Sequence, residues 1–337
     1  MNKEMIWPKI IFGTSGLGNL YEAVPFEQKR AIVKACLQHS EKPVCFDSAG
    51  KYGAGLALEA LGRSLKELGV NREEVLISNK LGWLRTNLNT PEPTFEPGVW
   101  RDLKHDAIQK ITYDGILECY QQGNELLNGY KAELVSVHDP DEYLANAKDA
   151  ADRKARYLDI LEAYRALSEL KASGEVKSIG VGSKDWRIIK DITNEVKLDW
   201  VMIANSMTIH SHPKALLEYM HSLEAQGIAI INSAVFNGGF LVGSAYYNYQ
   251  LKHPVADKSL FDWREKFNRL CAEHGIQPVE ACVVFGKSAP GVKSIALNTT
   301  KAEKVAANIA LMSKKIPAEF WTAMKQDGLI EPSCTFI

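Results

Sequence analysis

Short apolar runs alternate with longer amphipathic stretches along the whole chain. The runs are three to five residues long, mostly β-branched or aromatic, and do not alternate apolar with polar residues. Continuous apolar runs of this length indicate strands that are buried on both faces, as in a parallel sheet. Eight are present, at residues 10–12, 44–46, 75–78, 134–137, 178–181, 200–204, 228–231 and 292–296.

The stretches between these runs have helical spacing. In one of them Leu58, Leu61, Leu65 and Leu68 fall on a single stripe, and Gly69 follows where a helix commonly ends. Strands that are each followed by a helix are the elements of a (β/α)8 TIM barrel, although a doubly wound α/β sheet alternates in the same way and stays open as the alternative. The predicted helices cover residues 26–38, 56–68, 108–127, 158–170, 186–195, 215–225, 263–274 and 302–311.

Two long interruptions break this rhythm, and no linker rich in proline, glycine or serine divides the chain. We therefore predict one domain over residues 1–337, with long loops at 83–104, after the third run, and at 238–259, after the seventh. Both follow strands, so in a barrel they lie on the face that carries active sites, either as covers of a pocket or as ordinary surface excursions. We expect Trp83 and Trp100 to line a substrate pocket. The other aromatic residues of these loops include Phe95, Tyr246, Tyr247 and Tyr249.

Composition narrows the function classes. The 40 basic and 41 acidic residues leave no basic excess for binding nucleic acid, and no apolar run approaches the ~20 residues that span a membrane. The first ten residues lack the apolar segment of a secretory signal, and six cysteines without CxxC spacing are typical of reduced thiols in a cytoplasmic protein. No metal site is predicted, since His210 and His212 have no cysteine or carboxylate beside them and are interpreted as part of a surface loop. The oligomeric state stays open.

Polar residues follow the predicted strands repeatedly, at the ends that meet around one mouth in a barrel. Each alone has an ordinary interpretation: Asp47 as a cap, Lys80 as a solvated strand end, His138 as a structural histidine. Together they place ionisable and amide groups around one pocket. The strand-end residues are Thr14, Ser15, Asp47, Lys80, His138, Asp139, Ser183 and Asn205.

Tyr52 lies five residues after Asp47, in a glycine-flanked loop that can aim it inward. A phenol has a pKa of ~10, too high for ready proton exchange near neutrality. A lysine cation at about 4 Å interacts with the phenolate by roughly 4 kcal/mol at an effective dielectric constant of ~20, which would bring this pKa to ~7. With Asp47 orienting Lys80, and His138 hydrogen-bonding a substrate oxygen, the set suits proton transfer coupled to hydride transfer at a carbonyl or hydroxyl carbon.

These four residues and the motifs around them resemble the aldo-keto reductases, which are (β/α)8 barrels that use a nicotinamide cofactor. The matching segments, spread over nearly the whole chain, are 12–18 (FGTSGLG), 46–53 (FDSAGKYG), 78–82 (SNKLG), 137–139 (VHD) and 179–181 (IGV). The C-terminal segments 316–321 (IPAEFW) and 328–330 (GLI) resemble a branch of sugar 1-dehydrogenases that includes D-threo-aldose (L-fucose) and L-galactose dehydrogenases.

The resemblance implies a role for each of the four residues. Tyr52 is the general acid or base, and Lys80 lowers its pKa. Asp47 pairs with Lys80 and lies near the cofactor ribose, while His138 orients the substrate oxygen. The implied reaction passes a hydride from C1 of an aldose such as L-fucose, L-galactose or D-arabinose to NAD or NADP, with Tyr52 taking the hydroxyl proton. The product is an aldonolactone.

Cofactor positions carry over from the resemblance one by one. The family holds the carboxamide with a Ser-Asn pair after strand five; the aligned pair here is Gly182-Ser183, so Ser183 supplies only part of that contact. Asn205 is the nearest candidate for a glutamine on strand six, and Ser233 replaces a stacking aromatic. Relatives that prefer NADP bind the 2′-phosphate with cations after strand eight, and Lys304 is the cation left on the helix there, which favours NAD. The implied cofactor contacts are Gly13, Thr14, Asp47, Ser183, Asn205, Phe236, Asn237, Thr299, Lys304 and Asn308.

Two other functions stay open. An NADPH-dependent aldehyde or ketone reductase would use the same four residues in the reducing direction. A regulatory subunit that binds nicotinamide and senses redox state would also retain them. The resemblance at the C-terminus favours the sugar dehydrogenase over both.

Overall fold

The computed structural model describes residues 5–337, and its central strands form a closed barrel of eight. Every neighbouring pair in the barrel is parallel, and the last strand pairs with the first to close it. The predicted TIM barrel is therefore confirmed. In chain order the strands are β1 Ile10–Gly13, β2 Val44–Ala49, β3 Val75–Leu81, β4 Trp83–Asn87, β5 His105–Gln109, β6 Leu134–His138, β7 Ser178–Ser183, β8 Trp200–Ala204, β9 Ala229–Ser233, β10 Tyr246–Tyr247, β11 Gln250–Leu251 and β12 Val292–Leu297.

Helices pack around the barrel. Within residues 5–337, none is long and apolar enough to cross a membrane. Three of them, at residues 140–145, 278–288 and 318–326, are additional to the predicted set. The helices are α1 Phe26–His39, α2 Leu56–Glu67, α3 Tyr113–Leu126, α4 Pro140–Ala145, α5 Ala150–Ala172, α6 Trp186–Glu195, α7 Lys214–Ala225, α8 Lys258–Glu273, α9 Pro278–Ser288, α10 Val305–Ala310 and α11 Ala318–Gln326.

The missed helix α9 shows why periodicity alone overlooks some elements. Six consecutive residues, 281–286, are buried, so the helix has no polar face to set the helical period. Its start is nevertheless marked in the sequence. Pro278 occupies the first turn, and Gln277 and Glu280 form a capping box.

The first long loop is partly a hairpin. Residues 105–109 form β5, antiparallel to β4, so the prediction of a helix starting at 108 was wrong. Helix α3 begins instead at Tyr113, where the Thr112 hydroxyl accepts the Gly115 N–H at 3.0 Å. Residues 88–104 are the tip of this hairpin rather than part of one unstructured loop over 83–104. The Asp106 carboxylate accepts hydrogen bonds from the Thr94 N–H and hydroxyl, which folds the tip back on itself.

The second long loop carries the short hairpin β10–β11, and α8 begins inside it.

His210 Nδ1 lies 2.8 Å from the Tyr247 hydroxyl of that hairpin. His212 is buried, its Nδ1 lies 3.1 Å from the Thr208 carbonyl oxygen, and its Nε2 accepts the Glu331 N–H. The interpretation of both histidines as surface-loop residues was therefore wrong. They hold the loop after β8 against the neighbouring hairpin and the C-terminal segment.

The interior of the barrel is filled at its amino-terminal end. Trp200, the first residue of β8, is fully buried there, and Trp7 meets its ring edge-on at 6.3 Å. A Cβ atom on Gly180 would lie 2.2 Å from the Trp200 ring, so only glycine leaves room for this indole. The carboxyl-terminal end of the barrel is left to polar side chains, and the candidate site lies there.

Candidate active site

A cavity of about 360 Å³ opens at the carboxyl-terminal ends of the barrel strands. Lys80, His138 and Ser183, which come from β3, β6 and β7, line its inner part. Trp100 and Tyr249 line its outer part from the two long loops. Residues that are far apart in the chain therefore meet at one mouth, where the strand-end argument places them.

Asp47 and Lys80 form a buried ion pair across neighbouring strands. The Lys80 ammonium contacts Asp47 Oδ2 and also donates to the Ser48 carbonyl oxygen at 3.2 Å. The Ser78 hydroxyl donates to Asp47 Oδ1 at 3.0 Å. The two charged side chains are only 4% and 3% exposed, so each depends on the other for compensation of its charge. The pair therefore fixes a cation at the inner end of the cavity.

The turn after β2 directs Tyr52 towards this pair. A Cβ atom on Gly50 would lie 2.3 Å from the Trp83 carbonyl oxygen, so the turn requires glycine there. Lys80 Nζ is 4.7 Å from the centroid of the Tyr52 ring, and the His138 ring meets the Tyr52 ring edge-on at 5.6 Å. The phenol, the ammonium and the imidazole thus lie in one cluster.

The pKa of Tyr52 differs from the expectation. Burial raises the pKa of Tyr52 well above its usual range, the Asp47 carboxylate adds to this, and the Lys51 ammonium opposes it. The expected fall towards 7 under the influence of Lys80 is wrong for the protein alone. The phenol is desolvated, and the charge of Lys80 is already compensated by Asp47. Tyr52 therefore carries its proton at neutral pH.

His138 is a buried, neutral imidazole. Burial lowers the pKa of His138 well below its usual range, and the ammonium groups of Lys80 and Lys51 lower it further. Nδ1 has no hydrogen-bond partner within the described part of the chain. Nε2 lies 3.6 Å from Asp139 Oδ2, which is longer than a hydrogen bond. A neutral imidazole in this position can donate one hydrogen bond to a substrate oxygen.

The residues predicted to hold a cofactor lie at the ends of several strands. The Thr14 hydroxyl donates to the Asp47 carbonyl oxygen at 3.0 Å. Ser183 is buried at the end of β7, and the buried Asn205 Oδ1 has no partner among residues 5–337. The Asn237 amide donates to the Asn205 carbonyl oxygen at 3.2 Å, so this side chain ties two loops together.

Ser183 lines the cavity, whereas the other predicted cofactor contacts lie outside its lining. Thr299, Lys304 and Asn308 belong to the turn and short helix after β12. That turn is joined to the first turn of the barrel, which also carries Gly13, by a hydrogen bond from Asn298 Nδ2 to Ser15 Oγ at 2.8 Å. Phe236 lies half-buried in the loop after β9 and packs against the core.

The two tryptophans predicted for the substrate pocket have different positions. Trp100 lines the cavity, with its ring 5.8 Å from the Tyr52 ring. Trp83 lies behind Lys51, whose Nζ is 5.4 Å from the Trp83 ring, and packs against Phe95. Trp83 is thus a support for the wall of the cavity rather than part of its lining.

Comparison with known proteins decides the family. Residues 9–327 match the profile described as the Aldo/keto reductase family. The chain belongs to the aldo/keto reductase family. The predicted resemblance is confirmed, although the individual relatives are distant.

This aldo/keto reductase is 27% identical to a pyridoxal 4-dehydrogenase of Microbacterium luteolum over 329 residues, which cover 94% of this chain and 93% of the relative. It is 24% identical to a D-threo-aldose 1-dehydrogenase of Pseudomonas sp, covering 96% and 94% of the two chains. Identity to the L-galactose dehydrogenase of Arabidopsis thaliana is 19%, covering 95% and 90%. A holo-form aldo-keto reductase structure from Bacillus halodurans has the same fold, with a TM-score of 0.68 at 17% identity, covering 98% and 94%.

Aldo/keto reductases use a nicotinamide cofactor, and the strand-end residues of this chain fit one. A buried acceptor without a partner is rare and costs about 1–3 kcal/mol. The free amide oxygen of Asn205 would therefore gain from a carboxamide N–H. Ser183 and Ser233 line the cavity from β7 and β9, and the small Ser233 side chain leaves space beside it for a ring.

Sequence reasoning missed four charged residues that line the same cavity. Three of them lie in loops and Glu142 lies in the short helix α4, and no sequence period predicts that these side chains meet. Two could have been found by adjacency, because Lys51 directly precedes Tyr52 and Lys184 directly follows Ser183. The other two are Glu96 and Glu142.

Proposed function

We propose that this aldo/keto reductase is an NAD(P)-dependent dehydrogenase that oxidises C1 of an aldose, such as L-fucose, L-galactose or D-arabinose, to an aldonolactone. The observation that carries the proposal is the cluster of Tyr52, His138 and the buried Lys80–Asp47 pair beside a cavity with polar and aromatic walls. The relatives described as D-threo-aldose and L-galactose dehydrogenases support a sugar as the substrate.

The proton steps of this reaction belong to the chain. Bound nicotinamide supplies the hydride acceptor or donor. Tyr52 holds the proton that moves to or from the substrate oxygen, and His138 donates a hydrogen bond to that oxygen. Lys80, held by Asp47, keeps a positive charge beside the phenol. Because burial raises the pKa of Tyr52, the phenolate that accepts a proton forms at alkaline pH, so we expect oxidation to accelerate as the pH rises.

We further propose NAD as the preferred cofactor. Residues 297–308 contain no arginine, and Lys301 and Lys304 are both exposed. Lysine binds phosphate as a point charge, without the bidentate geometry of arginine, so a 2′-phosphate would gain little here. The six cysteines are all buried and free, which supports a reducing compartment such as the cytoplasm.

The test is a matrix of substrates and cofactors followed by absorbance at the NADH band. L-Fucose, L-galactose, D-arabinose and pyridoxal would each be tested with NAD and NADP, and aldehydes with NADH and NADPH. We expect oxidation of at least one aldose, faster with NAD. Oxidation of pyridoxal alone, or turnover only as NADPH-dependent aldehyde reduction, would replace the sugar proposal. Turnover of any kind would exclude a role limited to nicotinamide sensing.

A further inference from the structure

Five charged side chains from the segments that follow β2, β4, β6 and β7 meet in the cavity, and the reaction described above uses none of them. We name this group the charged wall. All of its members line the cavity. The charged wall consists of Lys51, Glu96, Asp139, Glu142 and Lys184.

Both cations of the charged wall are already occupied by its carboxylates. Lys51 is 4% exposed, and its Nζ lies 2.7 Å from Glu142 Oε2, 2.8 Å from Glu96 Oε1 and 3.6 Å from Asp139 Oδ2. Two of these contacts are at hydrogen-bond distance and the third is a longer ionic contact, so three carboxylates surround the Lys51 ammonium. Lys184 contacts Glu142 Oε1 and lies 3.6 Å from Asp139 Oδ2. An incoming anion would therefore have to compete with these carboxylates for both ammonium groups.

The arrangement is held in place by the backbone as well as by charge. Glu96 and Asp139 have φ angles of 43° and 45°, in the left-handed region that residues with a side chain rarely adopt. In these conformations both carboxylates point at Lys51. Glu96 Oε2 also accepts the Trp100 Nε1–H at 2.7 Å, and the Trp100 ring lies 5.8 Å from the Tyr52 ring. The charged wall is thus connected to the reacting end of the cavity.

The charged wall has a negative balance. Its three carboxylates exceed its two ammonium groups, which gives a net charge of −1. Burial and Asp139 act to raise the pKa of Glu142, but Lys51 and Lys184 outweigh them and lower it, so this carboxylate stays ionised at neutral pH. A carboxylate on a substrate would be repelled here, whereas sugar hydroxyls can donate to the carboxylate oxygens.

We propose that the charged wall determines substrate specificity: it accepts a neutral, hydroxyl-rich substrate and rejects one of the same size that carries a carboxylate. This inference rests on the proposed function, since it concerns the same cavity. Glu142 is the residue on which it depends most, because its two oxygens hold both cations.

The test compares neutral and anionic members of matched pairs. One pair is L-galactose and L-galacturonate in oxidation, and a second is 4-(hydroxymethyl)benzaldehyde and 4-carboxybenzaldehyde in reduction. We expect kcat/KM to favour the neutral member by roughly 10- to 100-fold in the parent enzyme. Glu142→Gln removes one negative charge and should lower this ratio at least about fivefold, with Glu96→Gln acting in the same direction. Glu175→Gln is the matched control, because Glu175 pairs with Lys131 on the outside and is 51% exposed.

The outcomes separate this inference from the proposed function. If neither sugar is oxidised but the neutral aldehyde is reduced faster than the anionic one, the sugar proposal is removed and the charged wall is supported as the determinant of specificity. Equal use of neutral and anionic members by the parent enzyme would overturn the inference. A uniform loss of activity in both variants, with the parent ratio retained, would reduce the charged wall to a structural support and would also overturn it.

Discussion

The cavity contains two charged groups that are built in different ways. The Asp47–Lys80 pair lies on adjacent strands whose register is set by backbone hydrogen bonds, and both side chains are almost fully buried. The charged wall is assembled from loops and the short helix α4, and its Glu96 and Glu142 side chains are 30% and 33% exposed. Strand register fixes the Asp47–Lys80 pair wherever the barrel forms, whereas the charged wall depends on its own ion pairs. Changes to the Asp47–Lys80 pair should therefore affect chemistry and stability most. Changes to the charged wall should affect substrate choice most.

The largest effect is expected from Tyr52→Phe, in the turn after β2 and beside the strand-held Asp47–Lys80 pair. Loss of the phenolic proton carrier should lower kcat by roughly 10²- to 10⁴-fold, the range of general acid–base catalysis. Cofactor binding should be retained, because the ring remains. The measurements are steady-state turnover and a fluorescence titration with NADH. Tyr130→Phe is the control, since its hydroxyl donates to the Val70 carbonyl oxygen far from the cavity. A Tyr52→Phe enzyme with parental kcat would mean that another group carries the proton.

Lys80→Met should produce the largest loss of stability. It leaves the Asp47 carboxylate buried without its cation, and breaking a buried pair costs about 3–5 kcal/mol of unfolding free energy. Urea unfolding followed by circular dichroism measures this. The comparison variant is Lys131→Met, which breaks an exposed pair with Glu175 and should cost less than about 1 kcal/mol. Equal losses in the two variants would contradict the distinction between strand-held and surface pairs.

The same difference explains what could be predicted from the sequence. The eight strands were recognisable because continuous apolar runs require burial on both faces, and the strand ends then located Asp47, Lys80 and His138. The charged wall was not predicted as a group, because Glu96 reaches Lys51 from a loop position at positive φ and Glu142 reaches it from the short helix α4, which the spacing did not reveal. The pKa of Tyr52 was misjudged for a related reason, since burial depends on packing that no spacing reveals.

Lys51→Met tests the loop side with a smaller expected effect. Water can reach the partly exposed Glu96 and Glu142 carboxylates once the ammonium is lost, so we expect a loss of about 1–3 kcal/mol in unfolding free energy, below that of Lys80→Met. The loops that form the outer cavity should loosen, so KM should rise by a larger factor than kcat falls. Lys51→Arg, which restores the charge, should recover most of the change in KM. A parental KM in Lys51→Met would show that the loops hold their positions without this cation.

A neutral contact between loops provides the smallest test. Burial, with the neighbouring His212, lowers the pKa of His210 to about 4, whereas an unfolded histidine has a pKa near 6.5. Between these values the unfolded chain binds a proton that the folded protein excludes. The resulting stability is complete above about pH 6.5 and is lost as the pH falls towards 4, by up to about 1.4 kcal/mol per pH unit.

His210→Phe removes this titration, so its unfolding free energy should fall less steeply than that of the parent between pH 6.5 and 4. Tyr247→Phe is the matched variant, because it deletes the hydroxyl at 2.8 Å but keeps the imidazole. It should lower stability by about 1 kcal/mol at neutral pH and retain the parental slope. Parallel slopes for His210→Phe and the parent would mean that His210 is hydrated in solution. In that case water would reach the contact between the loop after β8 and the second long loop. This contact would then be open to solvent like the charged wall, and not sealed like the Asp47–Lys80 pair.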